Sequence, residues 1–219
     1  MGEDLFWAIR GGGAASFGVV IAWKIELVVI PETVTVCTTT RTSEQNSSKL
    51  IHQWQYIANN LDENLLLRLF ITSQNSSQGN HQRTIVGNFL SLYLGGVDDL
   101  ISLMHKSFPE LGLAKRECIE MPWIESILYF SGLSGEPLDV LLNRTSSGYF
   151  VVGYFKGKSD FVTDPISEDG LEGIYKFLNK EAAGRAELQF SPYGGRMNEV
   201  SEFEEIGRAS CRERVCQYV

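Results

Sequence analysis

The hydrophobic pattern of this chain switches repeatedly between a period near 3.6 and a period of two, and the switches predict its elements. The stretch 33–41, Thr-Val-Thr-Val-Cys-Thr-Thr-Thr-Arg, alternates and reads as a strand. In 43–61, Leu50, Ile51, Trp54, Ile57 and Ala58 recur on one helical face. Strands are predicted over 65–72 and 84–94, with the polar loop 73–82 between them. A helix over 97–108, a strand near 115–120, a short helix from Pro122, a helix over 168–180 and a strand over 187–190 complete the pattern. Strands and helices interleave, which predicts an α+β layer: helices packed on one face of an antiparallel sheet.

The first thirty residues read differently. Asp4-Leu-Phe-Trp-Ala-Ile-Arg10 has an N-cap residue type followed by good helix formers, and three glycines stop it. After the loop Gly11-Gly-Gly-Ala-Ala-Ser-Phe-Gly18 comes Val19-Val-Ile-Ala-Trp-Lys-Ile-Glu-Leu27, which is apolar, β-branched and strand-like. One helix, one loop and one buried strand cannot enclose a core, so 1–30 is expected to be the end of a domain whose other elements precede it. The loop is not a Walker loop, because no Gly-Lys-Ser/Thr leads into a helix. Nor is it a dinucleotide fingerprint, which runs strand, glycines, helix; here the order is reversed. Two readings stand: a helix C-cap with close backbone approach, or contact with a cofactor.

Near the other end, Ala186-Glu-Leu-Gln-Phe190 is a short alternating strand, so Glu187 and Gln189 point to the same side. Ser191-Pro-Tyr-Gly-Gly195 then reads as a turn. Two polar side chains on one strand face line either a substrate cavity or the solvent face of an open sheet.

Together these residues resemble a known family. Asp4–Gly18 is similar to the end of the flavin domain in plant berberine bridge enzyme-like proteins, which are FAD-linked oxidases of the vanillyl-alcohol-oxidase fold. Met121-Pro-Trp-Ile-Glu-Ser126 with Tyr129-Phe130, Tyr154-Phe-Lys-Gly-Lys-Ser-Asp160 and Leu188-Gln-Phe-Ser-Pro-Tyr-Gly-Gly-Arg-Met197 resemble the same family, in order, from Met1 to about Glu204. The resemblance implies that 1–30 closes an FAD-binding domain and that 31–205 is an incomplete substrate-binding domain. The His and Cys that bond the flavin covalently would lie upstream of this chain, and the catalytic tyrosine downstream. Gly11, Gly12, Gly13, Ser16, Phe17 and Gly18 become the cofactor-contacting set.

The family's Lys-x-Gln pair falls on Glu187 and Gln189. Gln189 fits, whereas Glu187 stands where many members have lysine, and in the berberine bridge enzyme itself a carboxylate on this strand is the base. Arg68 matches an active-site arginine of the family or is a snorkelling strand arginine. In such enzymes a base takes a proton from a substrate hydroxyl or amine, hydride passes to the flavin, and oxygen reoxidises it. A small-molecule alcohol, sugar or alkaloid is the implied substrate. If Glu187 is the base, burial must raise its pKa. The resemblance also implies an extracellular or cell-wall location, with which the sequons at Asn46, Asn75 and Asn143 are compatible.

The last residues break composition with the rest: arginine and cysteine become dense and periodicity stops. One reading frame of a common sequencing adapter encodes Ile206–Cys216, so 206–219 is expected to be a non-native tail. Of the formal net charge of −8, the tail contributes +2 (Arg208, Arg212 and Arg214 against Glu213), and the remainder carries −10. That acidic balance argues against nucleic acid or an anionic membrane as partner. Setting the tail aside leaves Cys37 and Cys118, each expected as a buried free thiol. His52, His81 and His105 share no ligand spacing, so no metal site is expected. No apolar run is long enough to span a membrane, and Gly148–Phe155, which repeats Gly-Tyr-Phe, reads as a local insertion. The alternative to an oxidase fragment is a non-enzymatic α+β binding module or a vestigial paralogue.

Overall fold

The computed structural model describes residues 2–11, 17–76, 83–143, 156–195 and 199. They divide into two units: one takes in the described residues of Met1–Val29, Val152–Asp164 and Arg196–Val219, the other those of Ile30–Val151 and Pro165–Gly195. The repeat at 148–155 and the tail at 206–219 lie outside the described residues.

In the first unit, α1 (Glu3–Gly11) has Glu3 and Asp4 in its first turn, where carboxylates complement the helix dipole, and buries Ala8 and Ile9. The strand expected over 19–27 is absent: these residues pair with no described strand, and Val19, Ile21 and Leu27 are exposed. Branched apolar side chains favour extended backbone, but a strand exists only through the ladder of a neighbour.

The second unit is a five-stranded antiparallel sheet in the order β4-β1-β3-β2-β5. Its strands are β1 (Val34–Thr42), β2 (Leu65–Asn75), β3 (Arg83–Tyr93), β4 (Cys118–Met121) and β5 (Glu187–Phe190). Alternation sorts each strand. On β2, Leu65, Leu67, Leu69 and Ile71 are buried, while Leu66, Arg68, Phe70 and Thr72 face the other way. Against the buried face lie α2 (Ser47–Ile57) with Leu50, Ile51 and Trp54, and α3 (Val97–Ser107) with Leu100 and Met104. The third helix on this face is α5 (Glu168–Leu178), with Leu171, Tyr175 and Leu178. Each of these fully buried side chains contributes about 1.5–3 kcal/mol of transfer free energy. Ser167 caps α5 by accepting from the Gly170 amide.

Two features correct the sequence reading. Cys37 and Cys118 are not free thiols; they form a disulfide, because the antiparallel register of β1 and β4 sets them directly opposite one another. The helices also do not all share one face. α4 (Trp123–Phe130) lies on the opposite side, with the Tyr129 hydroxyl 2.7 Å from Oγ1 of Thr38, whose strand position alternates with buried Cys37.

Arg41, at the end of β1, holds the β4 approach. Its Nη1 donates to Glu117 Oε1 at 2.8 Å, and Nε and Nη2 donate to the carbonyls of Leu111 and Gly112. The other Glu117 oxygen accepts from the Ala114 amide.

Candidate functional site

β5 is fixed by its apolar side. Leu188 and Phe190 pack against the core, and the Phe190 ring meets Trp54 edge to face at 6.0 Å. Trp54 is anchored in turn by its indole N–H, which donates to the Leu67 carbonyl. Glu187 and Gln189 therefore emerge on the opposite face, both exposed, as the alternation requires. Gln189 stands opposite Phe70, and Glu187 opposite Thr72.

On that face the three polar residues singled out in the sequence meet. Gln189 Nε2 donates to Glu187 Oε1 at 2.8 Å. Arg68 Nη2 approaches Gln189 Oε1 at 3.5 Å, while its Nε donates to Ser191 Oγ at 3.1 Å. Its guanidinium lies 5.1 Å from the centre of the Phe70 ring. The amide of Gln189 is thus held at both ends, its oxygen toward a cation and its nitrogen on a carboxylate. Arg68 is tied down at the strand surface by these contacts. Glu187 is exposed, so nothing within this unit supplies the burial that a base needs; that would come from whatever covers the face.

The turn after β5 has its own constraint. Gly195 has φ +52°, a left-handed conformation that favours glycine, and Gly194 lies against the Asn59 carbonyl.

Of the cofactor-contacting set, Gly11 is the last residue of α1, so the helix runs into the first glycine before it stops. Gly12, Gly13 and Ser16 lie outside the described residues. Phe17 and Gly18 are exposed, and Gly18 has φ +150°, with nothing within 4 Å of a Cβ placed there.

The sequence reading missed other groups on the same face. Thr40 Oγ1 donates to Asn88 Oδ1 at 2.8 Å, and Tyr129 joins Thr38 to a cavity of about 340 Å³ lined by Met121, Leu128, Glu136 and Pro137. For Thr38, Thr40 and Asn88 the only signal in the sequence was polarity at alternate strand positions, which any solvent face shares, while Tyr129, on α4, had stood only within a stretch that resembles the family. No group of three metal-ligating side chains occurs among the described residues. Trp123 is half-buried. No described helix is long and apolar enough to cross a membrane.

No family profile matches the chain. The solved structure of the BBE-like 28 protein of Arabidopsis thaliana superposes with a TM-score of 0.80 at 40% identity, over 93% of this chain and 40% of that one. The fold is therefore that of the FAD-binding oxidases of this kind, a mixed layer of helices and antiparallel sheet. Tetrahydroberberine oxidase of Berberis wilsoniae is 48% identical over 93% of this chain, and the monolignol oxidoreductase AtBBE-like 13 of Arabidopsis thaliana is 45% identical over the same share. Over the span it matches, the chain belongs to the berberine bridge enzyme-like proteins. It covers 38% of the length of each of these two relatives.

Proposed function

We propose that this chain supplies the substrate-binding layer of an FAD-dependent oxidase acting on a small alcohol or amine. The observation that carries the reading is the hydrogen-bonded chain Glu187–Gln189–Arg68 on the uncovered sheet face. In this reading Glu187 takes the proton from the substrate hydroxyl or amine. Gln189 orients the reacting group through its amide, and Arg68 fixes that amide and adds positive charge beside the developing anion. Placement on strands suits the task, since rigid elements hold such groups more precisely than loops. FAD, when bound, accepts the hydride and is reoxidised by oxygen.

The residues of this chain that would hold FAD are Gly11, Gly12, Gly13, Ser16, Phe17 and Gly18. The open backbone at Gly18 suits close approach of a flat ring. The family resemblance assigns the covalent His and Cys and the catalytic tyrosine to a longer parent, and the chain's span of 38% of these relatives is compatible with one. The chain by itself is then inactive. The Cys37–Cys118 disulfide supports folding in an oxidising compartment, and exposed Asn46, Asn75 and Asn143 suit a secreted glycoprotein.

The test is oxygen uptake by the full-length flavoprotein on a panel of cinnamyl-type alcohols, aldoses and tetrahydroisoquinoline amines. Glu187→Gln is expected to lower kcat at least about 100-fold and to flatten the rising limb of the pH profile. Gln189→Ala is expected to lower kcat/KM with the pH profile retained. Full activity of both variants refutes the assignment of Glu187 and Gln189, and flavin retained after denaturation of the present chain alone refutes the placing of the covalent attachment residues outside it.

A further inference from the structure

The same sheet face carries a second polar set that the reaction above does not use. Phe70 is opposed by Gln189 on β5 and by Asn88 on β3, and Asn88 is opposed by Thr40 on β1. Gln189, Phe70, Asn88 and Thr40 therefore form one row across four strands. Neighbouring strands are about 4.8 Å apart, which puts Asn88 about 10 Å from Gln189 and Thr40 about 14 Å away. In the adjacent row, Leu90 lies between Arg68 and Thr38. Half-buried Phe70 and Leu90 thus make an apolar strip between two polar rims.

The far rim is arranged to donate. Thr40 Oγ1 gives its proton to Asn88 Oδ1, which commits the amide oxygen and leaves the Asn88 amide nitrogen without a partner among the described residues. Beside it, the hydroxyls of Thr38 and Tyr129 share a hydrogen bond, and Tyr129 opens onto the cavity of about 340 Å³ next to α4. Space and polarity continue in the direction away from Glu187.

We infer that Asn88, set by Thr40, is a specificity residue: it donates to a hydroxyl or carbonyl oxygen at the far end of the substrate. The substrate's apolar body lies over Leu90 and beside Phe70, whose ring also meets the Arg68 guanidinium, and its oxidised carbon sits at Gln189 and Glu187. The substrate class is accordingly rod-shaped, with a polar group about 8–10 Å from the reacting carbon, the spacing of two strands less the reach of the Asn88 side chain, and not a compact polyol. This assignment rests on the oxidase reading. A purely structural role is the competing account, since a Thr–Asn pair across two strands also stabilises a sheet.

The experiment compares 4-hydroxycinnamyl alcohol with cinnamyl alcohol, which differ only in the distal hydroxyl, as substrates of the full-length flavoprotein. The unsubstituted enzyme is expected to favour the hydroxylated alcohol in kcat/KM by about 10-fold or more, because a site built to bond that group rejects the analogue lacking it. Asn88→Leu is expected to abolish the preference by raising KM for the hydroxylated alcohol specifically. Asn88→Ala serves if the leucine does not fold, and Asn88→Gln should restore part of the preference. An equal loss on both alcohols, or a preference that survives in Asn88→Leu and Asn88→Ala, overturns the assignment. So does a lack of preference in the unsubstituted enzyme. If the enzyme oxidises another panel member but neither of these alcohols, the rod-shaped class is overturned. Oxidation of nothing in the panel fails the oxidase reading itself.

Discussion

Gly194 lies so close to the carbonyl oxygen of Asn59 that a Cβ on it would overlap that oxygen. The contact joins the turn after β5 to the short 3₁₀ segment Ala58–Asn60 that follows α2. Ser191 sits three residues earlier and accepts from Arg68, so the seating of this turn bears on the geometry of the face. Gly194→Ala is expected to destabilise the fold by about 1–3 kcal/mol, since backbone must move to admit the methyl group. Gly195→Ala should cost about 1–2 kcal/mol through its left-handed φ alone. Urea denaturation of both variants checks the pair. A neutral Gly194→Ala would contradict the packing.

The disulfide between Cys37 and Cys118 closes a loop of 81 residues and pins the four-residue edge strand β4 to β1. In the chain-entropy account a loop of that size is worth about 4.5 kcal/mol. Replacing both cysteines by serine is expected to cost about that much in chemical denaturation. A reduced wild-type sample should unfold at the same midpoint as the double variant. Unchanged stability on reduction would mean that the loop is constrained without the bond.

Glu117 ties the acid stability of this unit to Arg41. Burial works to raise its carboxyl, but hydrogen bonds from Arg41 and the Ala114 amide, with the charges of Arg41 and Arg116, outweigh it and hold the pKa below the ordinary 4.5. A carboxylate with a lowered folded pKa contributes stability that is present above its unfolded value and lost as pH falls through the folded value. Stability is therefore expected to drop below about pH 4.5. Glu117→Gln should lessen that drop while costing about 1–3 kcal/mol near neutrality, because Arg41 loses its partner. Parallel pH–denaturation curves for wild type and Glu117→Gln would refute the linkage.

Residues 19–30 expose Val19, Ile21, Ile25, Leu27, Val28 and Val29, with Val29 fully accessible and Ile21 94% exposed. A contiguous apolar stretch of this kind drives association. The chain on its own is expected to self-associate as concentration rises, and Ile21→Lys with Val29→Lys to suppress this. Sedimentation velocity distinguishes the two. A wild-type chain that stays monomeric at high concentration would show that the stretch finds cover.

Periodicity made most elements of the sheet unit legible. The strands at 33–41, 65–72 and 84–94 and the helices at 97–108 and 168–180 each lie within a few residues of the observed bounds, because a strand or helix with one buried face writes its period into its own residues. The helix expected over 43–61 is flanked by 3₁₀ turns on either side of α2, and the left-handed Asn46 separates α2 from the first of them. The expected strand at 19–27 failed for the opposite reason: its composition was right, but pairing is not a local property.

The sequence by itself determined which residues alternate and which recur with a helical period. It also determined that Glu187 and Gln189 share a side and that the chain carries the residues of a flavin-linked family. Only the tertiary structure decided the strand order β4-β1-β3-β2-β5 and its registers. Those registers set Cys37 opposite Cys118, draw Arg68 to Ser191 across 123 positions, and align Gln189, Phe70, Asn88 and Thr40 in one row. The physical reason is that a side chain's period reflects its own burial. Which strand becomes its neighbour depends on how every apolar face in the unit is buried at once.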